Sequence, residues 1–141
     1  MSIENLMCRA ECEDLLHRFA YLLDSGSNSE AADLFTDEAT LRRPDGEYSG
    51  PAIRALIEQR PATVVTRHIL TNLSVTRMDA RTATASAYCL VYRVDGRADD
   101  VPPREMPDGP TAAGDWKVDF RLTEGGWRMA SWELLMKLAR H

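Results

Sequence analysis

Helical periodicity and punctuation stop at Pro61, and from residue 64 onward the chain reads as long strands joined by tight turns. This segregation constrains the fold more than any other feature. Strands in succession pair antiparallel, and the sheet they make must bury one face under the helices that precede it. The expected class is α+β. Residues 3 to 25 predict a first helix, with Cys8, Cys12, Leu15, Leu16, Phe19, Leu22 and Leu23 on one stripe and Gly26 as its stop. Ser27 and Glu30 match a capping box, which opens a short second helix through Leu34 and Phe35. A short strand is expected over 38 to 43, a turn at Pro44, Asp45 and Gly46, and a third helix from Pro51 to about Arg60. Strands follow at 65 to 77, 82 to 94, 115 to 123 and 126 to 138, rich in Thr, Val, Ala and aromatic residues. Residues 95 to 114 hold four Pro and three Gly, which predicts a mobile loop.

At 141 residues the chain suits one domain, residues 1 to 141, with no repeat or linker to divide it. Its net charge of −5 is spread over mixed signs, and no basic block is long enough to grip nucleic acid. No apolar run approaches the roughly 20 residues that span a bilayer. Glu4, Glu11, Glu13 and Asp14 argue against a signal or transit peptide, so a cytoplasmic protein is expected. Cys8, Cys12 and Cys89 are odd in number and lack metal-site spacing, which predicts free thiols in a reducing compartment. His17, His68 and His141 are too scattered for a metal site, and no Gly-rich phosphate loop occurs, so neither metal nor organic cofactor is expected. Strict alternation puts Leu73 and Val75 opposite Leu70, and Leu134 opposite Leu135. A sheet with apolar residues on both faces predicts a homodimer through its outer side.

Four phrases in order carry a family resemblance: YLLDSGSNSEAADLFTDEATL at the end of the first helix, YSGPAIRALI at the third, TRHILTNLSV on the first long strand and GGWRMASWEL on the last. Together they cover most of the chain, and it resembles the SnoaL-like family of the nuclear transport factor two-like superfamily. That resemblance implies a cone-shaped α+β barrel, with three N-terminal helices packed on a curved, mainly antiparallel sheet around a deep pocket. The family's relatives include scytalone dehydratase, polyketide cyclases and steroid isomerases, together with non-catalytic members and dioxygenase small subunits, so the fold leaves the chemistry open.

The resemblance implies that Asp24, at the end of the first helix, and His68, in the RH phrase, form a catalytic pair. The chemistry of the two groups agrees. An imidazole takes and returns a proton near neutral pH, and a carboxylate on its other nitrogen fixes the tautomer. On an ideal wheel, however, Asp24 sits opposite the apolar stripe, where a solvated helix-end residue needs no further explanation. Tyr21, one turn earlier, is a candidate hydrogen-bond donor at the pocket mouth, and Asn72 a candidate for orienting substrate. Tyr88 and Tyr92 share one strand face; Tyr92 is the candidate to replace a second pocket histidine that scytalone dehydratase carries on this strand, since no His occurs here between 69 and 140. Trp116, Phe120 and Trp132 are candidate pocket-wall residues, with Trp132 expected to point away from Trp127 and Met129. The three cysteines read as small core residues, with a cysteine nucleophile as the lesser alternative.

These readings predict a cofactor-independent acid–base enzyme of the dehydratase, cyclase or isomerase type. Its substrate would be a small, largely apolar molecule with a carbonyl or hydroxyl group, polyketide- or terpenoid-like. The alternative is a non-catalytic ligand-binding or oligomerisation module. A buried Asp24–His68 contact favours the first, and a solvent-facing Asp24 the second.

Overall fold

In the computed structural model, which describes residues 1–140, the elements follow the expected order with one addition. Helix α1 spans Ile3–Asp24. Ser2 caps it, its hydroxyl accepting the Asn5 N–H at 3.1 Å, which satisfies one of the donors a helix start leaves free. The predicted stripe is buried. At the far end Ser27 N–H reaches the Leu22 carbonyl and Gly26 N–H that of Leu23. This is a Schellman closure with Gly26 at φ 78, a left-handed geometry that costs glycine little.

That closure explains why the expected capping box does not form. Ser27 also stands at the N-cap of α2 (Asn28–Ala32) but makes no side-chain cap bond. Its own N–H is committed to Leu22 at 2.9 Å, so Glu30 has nothing to accept. The second helix ends early and Phe35 opens strand β1 (Phe35–Arg43) instead. Strand β2 (Gly46–Ser49), which the sequence reading lacked, returns as a hairpin on β1. Helix α3 covers Pro51–Glu58, with Pro at its start as predicted.

The long strands are β3 (Val65–Arg77), β4 (Thr82–Val94), β5 (Ala112–Thr123) and β6 (Gly126–Ala139). The sheet order is β2-β1-β6-β5-β4-β3, with β1 parallel to β6 and the other pairs antiparallel. The edge strands β2 and β3 do not meet, so the cone is an open, curved sheet rather than a closed barrel. The helices cover its inner face. Phe19 of α1 is fully buried and stands edge-on to Phe35 at 5.5 Å and to Trp132 at 5.0 Å between ring centroids, with Trp116 at 5.9 Å. Such aromatic pairs add about 0.5–1.5 kcal/mol each to the area they bury. No helix among the described residues is long and apolar enough to cross a membrane.

Bulges overturn the faces read from strict alternation. In β6, Met129 pairs with Phe120 and Ser131 with Asp119, leaving Ala130 extra. One extra residue reverses the phase of everything beyond it. Trp132 therefore joins Trp127 and Met129 in the core, while Ser131 turns outward to donate to Asp119 at 3.0 Å. In β3 the register shifts between Thr71 and Ser74, at Asn72 with φ 53. Leu70, Leu73 and Val75 consequently all pack against the core, so these three do not form the opposed apolar faces that strict alternation gave them. Exposed apolar side chains remain on the sheet, among them Ile69, Tyr88 and Leu138.

Loop 95–111 is anchored rather than free-standing. Arg104 Nη1 donates to the Thr63 carbonyl at 2.7 Å. Its middle covers an apolar hollow of about 560 Å³ on the outer side of β3 and β4, with Ile69, Tyr92, Pro103 and Met106 in the wall.

Asn72 is the residue whose backbone the β3 bulge strains. Asn72→Val should destabilise the protein by roughly 1–2 kcal/mol, the cost of forcing a branched residue into left-handed geometry. Asn72→Gly should stay within about 0.5 kcal/mol of the parent. Urea unfolding of the three proteins measures the difference, and equal midpoints for Val and Gly would contradict the bulge.

Candidate functional site

Asp24 is the last helical residue of α1. A carboxylate there faces the negative end of the helix dipole, at a cost of about 0.3–1 kcal/mol. The offset comes from β3, which runs past the helix end. Asp24 Oδ2 accepts the His68 backbone N–H at 2.8 Å, and Oδ1 accepts the Thr66 hydroxyl at 2.8 Å. Oδ1 also lies 2.6 Å from His68 Nδ1. Asp24 and His68 side chains are 11% and 13% exposed, so Asp24 is not the solvated helix-end residue that the ideal wheel suggested. The Schellman turn and the crossing strand decide its surroundings, and neither is visible to a wheel.

Burial pushes the Asp24 carboxyl up. Hydrogen bonds from the His68 ring and backbone, the charge of His68 and the Thr66 hydroxyl more than offset this, and its pKa lies below the usual carboxylate value. An ionised Asp24 on Nδ1 keeps the proton on that nitrogen. Among the described residues Nε2 has no protein partner, and in the neutral ring it is the nitrogen with the free lone pair. A chain of donors supports the pair from behind: Arg60 Nη2 donates to Thr66 Oγ1 at 3.2 Å, and Thr66 donates to Asp24.

His68 and Thr66 open onto a cavity of about 260 Å³ between the end of α1 and the inner sheet face. Leu23, Val91, Trp116, Trp132, Leu134 and Met136 form its apolar wall. Gly114 belongs to this wall because a Cβ there would stand 2.6 Å from the Leu135 carbonyl oxygen. Trp132 keeps its buried indole N–H without a protein acceptor. Cys89 also lines the cavity, but burial, with the Asp24 charge adding to it, pushes its thiol up to about 12. A thiol held protonated at neutral pH is a poor nucleophile.

Of the residues singled out from sequence, Asp24, His68, Trp116 and Trp132 come together here. Phe120 is buried in the core behind the cavity without lining it. Tyr21 is 71% exposed on α1 and Tyr88 53% exposed on the outer face of β4. Tyr92 lines the outer hollow, not the inner cavity. Val91 and Arg93 face inward, and a neighbouring strand position cannot share that face. Asn72 is exposed at the bulge, its side chain accepting from Thr71. The sequence reading missed Arg43, Arg60, Thr66, Arg93 and Thr111, all of which line the cavity. Thr66 was within reach, two residues before His68 on the same face. Arg60 was not, since the turn between α3 and β3 has no periodicity to show which way its side chain points.

The lowered Asp24 pKa has a defined consequence for stability. A carboxyl depressed in the folded state stabilises the protein above its unfolded pKa, and that contribution fades as pH falls through the folded value. Wild type should be more stable than Asp24→Asn at neutral pH, and the gap should close as pH drops below about 4. Urea titrations at several pH values test this; a gap independent of pH would contradict it.

The match of this chain to known proteins runs along nearly its whole length. A family model, the SnoaL-like domain, matches residues 4–133. A candidate scytalone dehydratase from Novosphingobium aromaticivorans superposes with TM-score 0.83 at 20% identity, over 100% of this chain and 93% of the other. An NTF2-like protein with a cystatin-like fold from the same organism gives 0.74 at 25% identity, over 93% and 82%. ActVI-ORFA from Streptomyces coelicolor gives 0.73 at 20% identity, over 92% and 97%. Among curated proteins none matches the sequence. With the family model covering most of the chain and the fold shared throughout, this protein belongs to the SnoaL-like family.

Proposed function

We propose that this protein is a cofactor-independent acid–base catalyst, of the dehydratase, cyclase or isomerase type, acting on a small carbonyl compound. The observation that carries the reading is the buried 2.6 Å contact of Asp24 with His68 Nδ1 at the wall of the cavity. His68 Nε2 removes a proton from the carbon next to a carbonyl, leaving an enolate. The imidazolium then returns that proton. Delivery to a departing hydroxyl completes a dehydration with loss of water, and delivery to a different carbon completes an isomerisation. Asp24 holds the ring and stabilises its charged form throughout. The similarity to a candidate scytalone dehydratase supports the first outcome.

Neither Tyr21, the candidate donor at the pocket mouth, nor Tyr92, the candidate to replace a second histidine, lines the cavity. The same observation favours the second reading, a binding module, in one respect: among the described residues no second imidazole or phenol lines the cavity to share the proton work of His68.

α-Proton exchange into D₂O, followed by NMR on a panel of cyclic ketones with and without a carboxylate, separates the two readings. The catalytic reading expects exchange well above buffer. His68→Ala should reduce it by roughly 10²–10⁴, the usual worth of a general acid–base group. Asp24→Asn should cost a similar factor, and the double mutant little more than the worse single one, since both changes disable one device. Exchange at the buffer rate would put the binding module ahead; losses that multiply would overturn the pairing of Asp24 and His68 as one device.

A further inference from the structure

The cavity's polar end is cationic. Arg43, Arg60 and Arg93 all line it, from the end of β1, the turn after α3 and the end of β4. Strand register gives two of these side chains their direction. Thr66 pairs with Arg93, and His68 with Val91. Cross-strand partners project to the same face, and Thr66, His68 and Val91 face the cavity. Arg93 therefore stands one inward row from His68, about 7 Å along the strands. Arg43 follows Arg42, which pairs with Glu133 of β6; it is thus level with Leu134, another wall residue.

Neighbouring carboxylates do not neutralise this cluster. Arg43 meets Asp45 at 2.5 Å and Arg93 meets Asp95 at 3.1 Å, but Asp45 and Asp95 are 51% and 76% exposed. Arg43 gives its Nε and Nη2 to Asp45 and has only its remaining N–H groups to spare, whereas the single exposed contact of Arg93 holds little energy and leaves most of its five donors available. Arg60 has no carboxylate within salt-bridge distance among the described residues, and its one side-chain partner is the Thr66 hydroxyl. Burial pushes the Arg60 guanidinium down; Asp24 pulls it up, and Arg93 and Arg43 push it further down. Three like charges around one small cavity repel one another, and an anion placed between them relieves that repulsion.

We propose that the molecule this cavity takes is a carboxylate: a one- or two-ring compound whose ionised acid group lies between Arg60, Arg93 and Arg43 and whose reacting carbon lies beside His68 Nε2. The assignment rests on this cavity being the substrate site. The volume of about 260 Å³ falls just under the ~300–1,000 Å³ typical for drug-sized ligands, which limits the ring count. Trp116, Trp132, Leu134 and Met136 supply an apolar bed for the rings. A planar carboxylate matches the guanidinium fork with two parallel hydrogen bonds. The arrangement also has a use in the proposed chemistry. A substrate already anionic resists forming an enolate, and fixed positive charge beside it removes that obstacle.

Isothermal titration of 2-naphthoate and its neutral isostere 2-naphthamide tests the assignment. The acid should bind wild type at least about tenfold tighter than the amide. High salt should weaken the acid and leave the amide unchanged. Arg60→Gln should bring the two affinities close together while the amide, which reports an intact cavity, keeps its own. Arg93→Gln, which breaks no bond of the chain from Arg60 through Thr66 to Asp24, should lower the preference in part and guards against a folding defect in Arg60→Gln. An acid that binds no better than the amide, including one that does not bind, overturns the proposal, as does a preference that survives both substitutions. His68→Ala separates this from the catalytic reading, because it should reduce α-proton exchange by the roughly 10²–10⁴ given above and preserve the acid preference. A wild type that prefers acids without exchanging protons would sink the catalytic reading alone.

Discussion

The carboxylate of Asp24 ties the end of α1 to the start of β3, and the geometry of the site depends on that tie. It stands at the unfavourable end of a helix and is nearly buried, two conditions that each disfavour its charge. Three hydrogen bonds, two from His68 and one from Thr66, restore the ionised form. Charge-assisted bonds contribute about 1.5–3 kcal/mol each, enough to offset both penalties. Because all three come from one strand, they hold a backbone as well as a side chain. The imidazole is thereby held by its own main chain and by its ring nitrogen, with one nitrogen left toward the cavity.

Around this tie the aromatic cluster sets the shape of the cavity. Phe19 fills the angle between α1 and the sheet, and Trp116 and Trp132 meet edge to face at 5.0 Å beside it. The space left over is small and apolar on one side and cationic on the other. SnoaL-like folds serve enzymes and non-enzymes alike, so fold membership says little about which reaction occurs. The features of the site that bear on chemistry are the Asp24–His68 contact, the donor chain behind it through Thr66 to Arg60, and the convergence of three arginines. They give one continuous polar path from the cationic end to the imidazole. Substrate binding and proton transfer would therefore share residues rather than occupy separate regions of the cavity.

Much of the fold was legible because its signals are local. The buried stripe of α1, the Gly26 stop, Pro51 opening α3 and the long alternating runs all report on neighbours a few residues apart. The failures were also physical. β2 is four residues long and holds only through its pairing with β1. The capping box at Ser27 had the right residues, but the preceding turn had already used the backbone donor. Trp132 was assigned the wrong face and Tyr92 the wrong side of the sheet. For Trp132 the cause is a single extra residue at Ala130; for Tyr92 it is that alternation says which residues share a face but not which face looks inward.

The sequence by itself determined the order of elements, the class of fold, the family and the identity of the two residues that meet at Asp24 and His68, the last through family resemblance. The element order and fold class follow from composition and spacing along the chain, whereas the family and the Asp24–His68 pair follow from resemblance. Only the tertiary structure decided that Asp24 is buried, that Tyr21 and Tyr88 face solvent, and that Arg43, Arg60 and Arg93 surround one cavity. These three arginines lie far apart in sequence, on β1, on β4 and in the turn after α3, and strand pairing brings them together. Long-range pairing leaves no periodic trace, so charge convergence of this kind emerges only once the chain has folded.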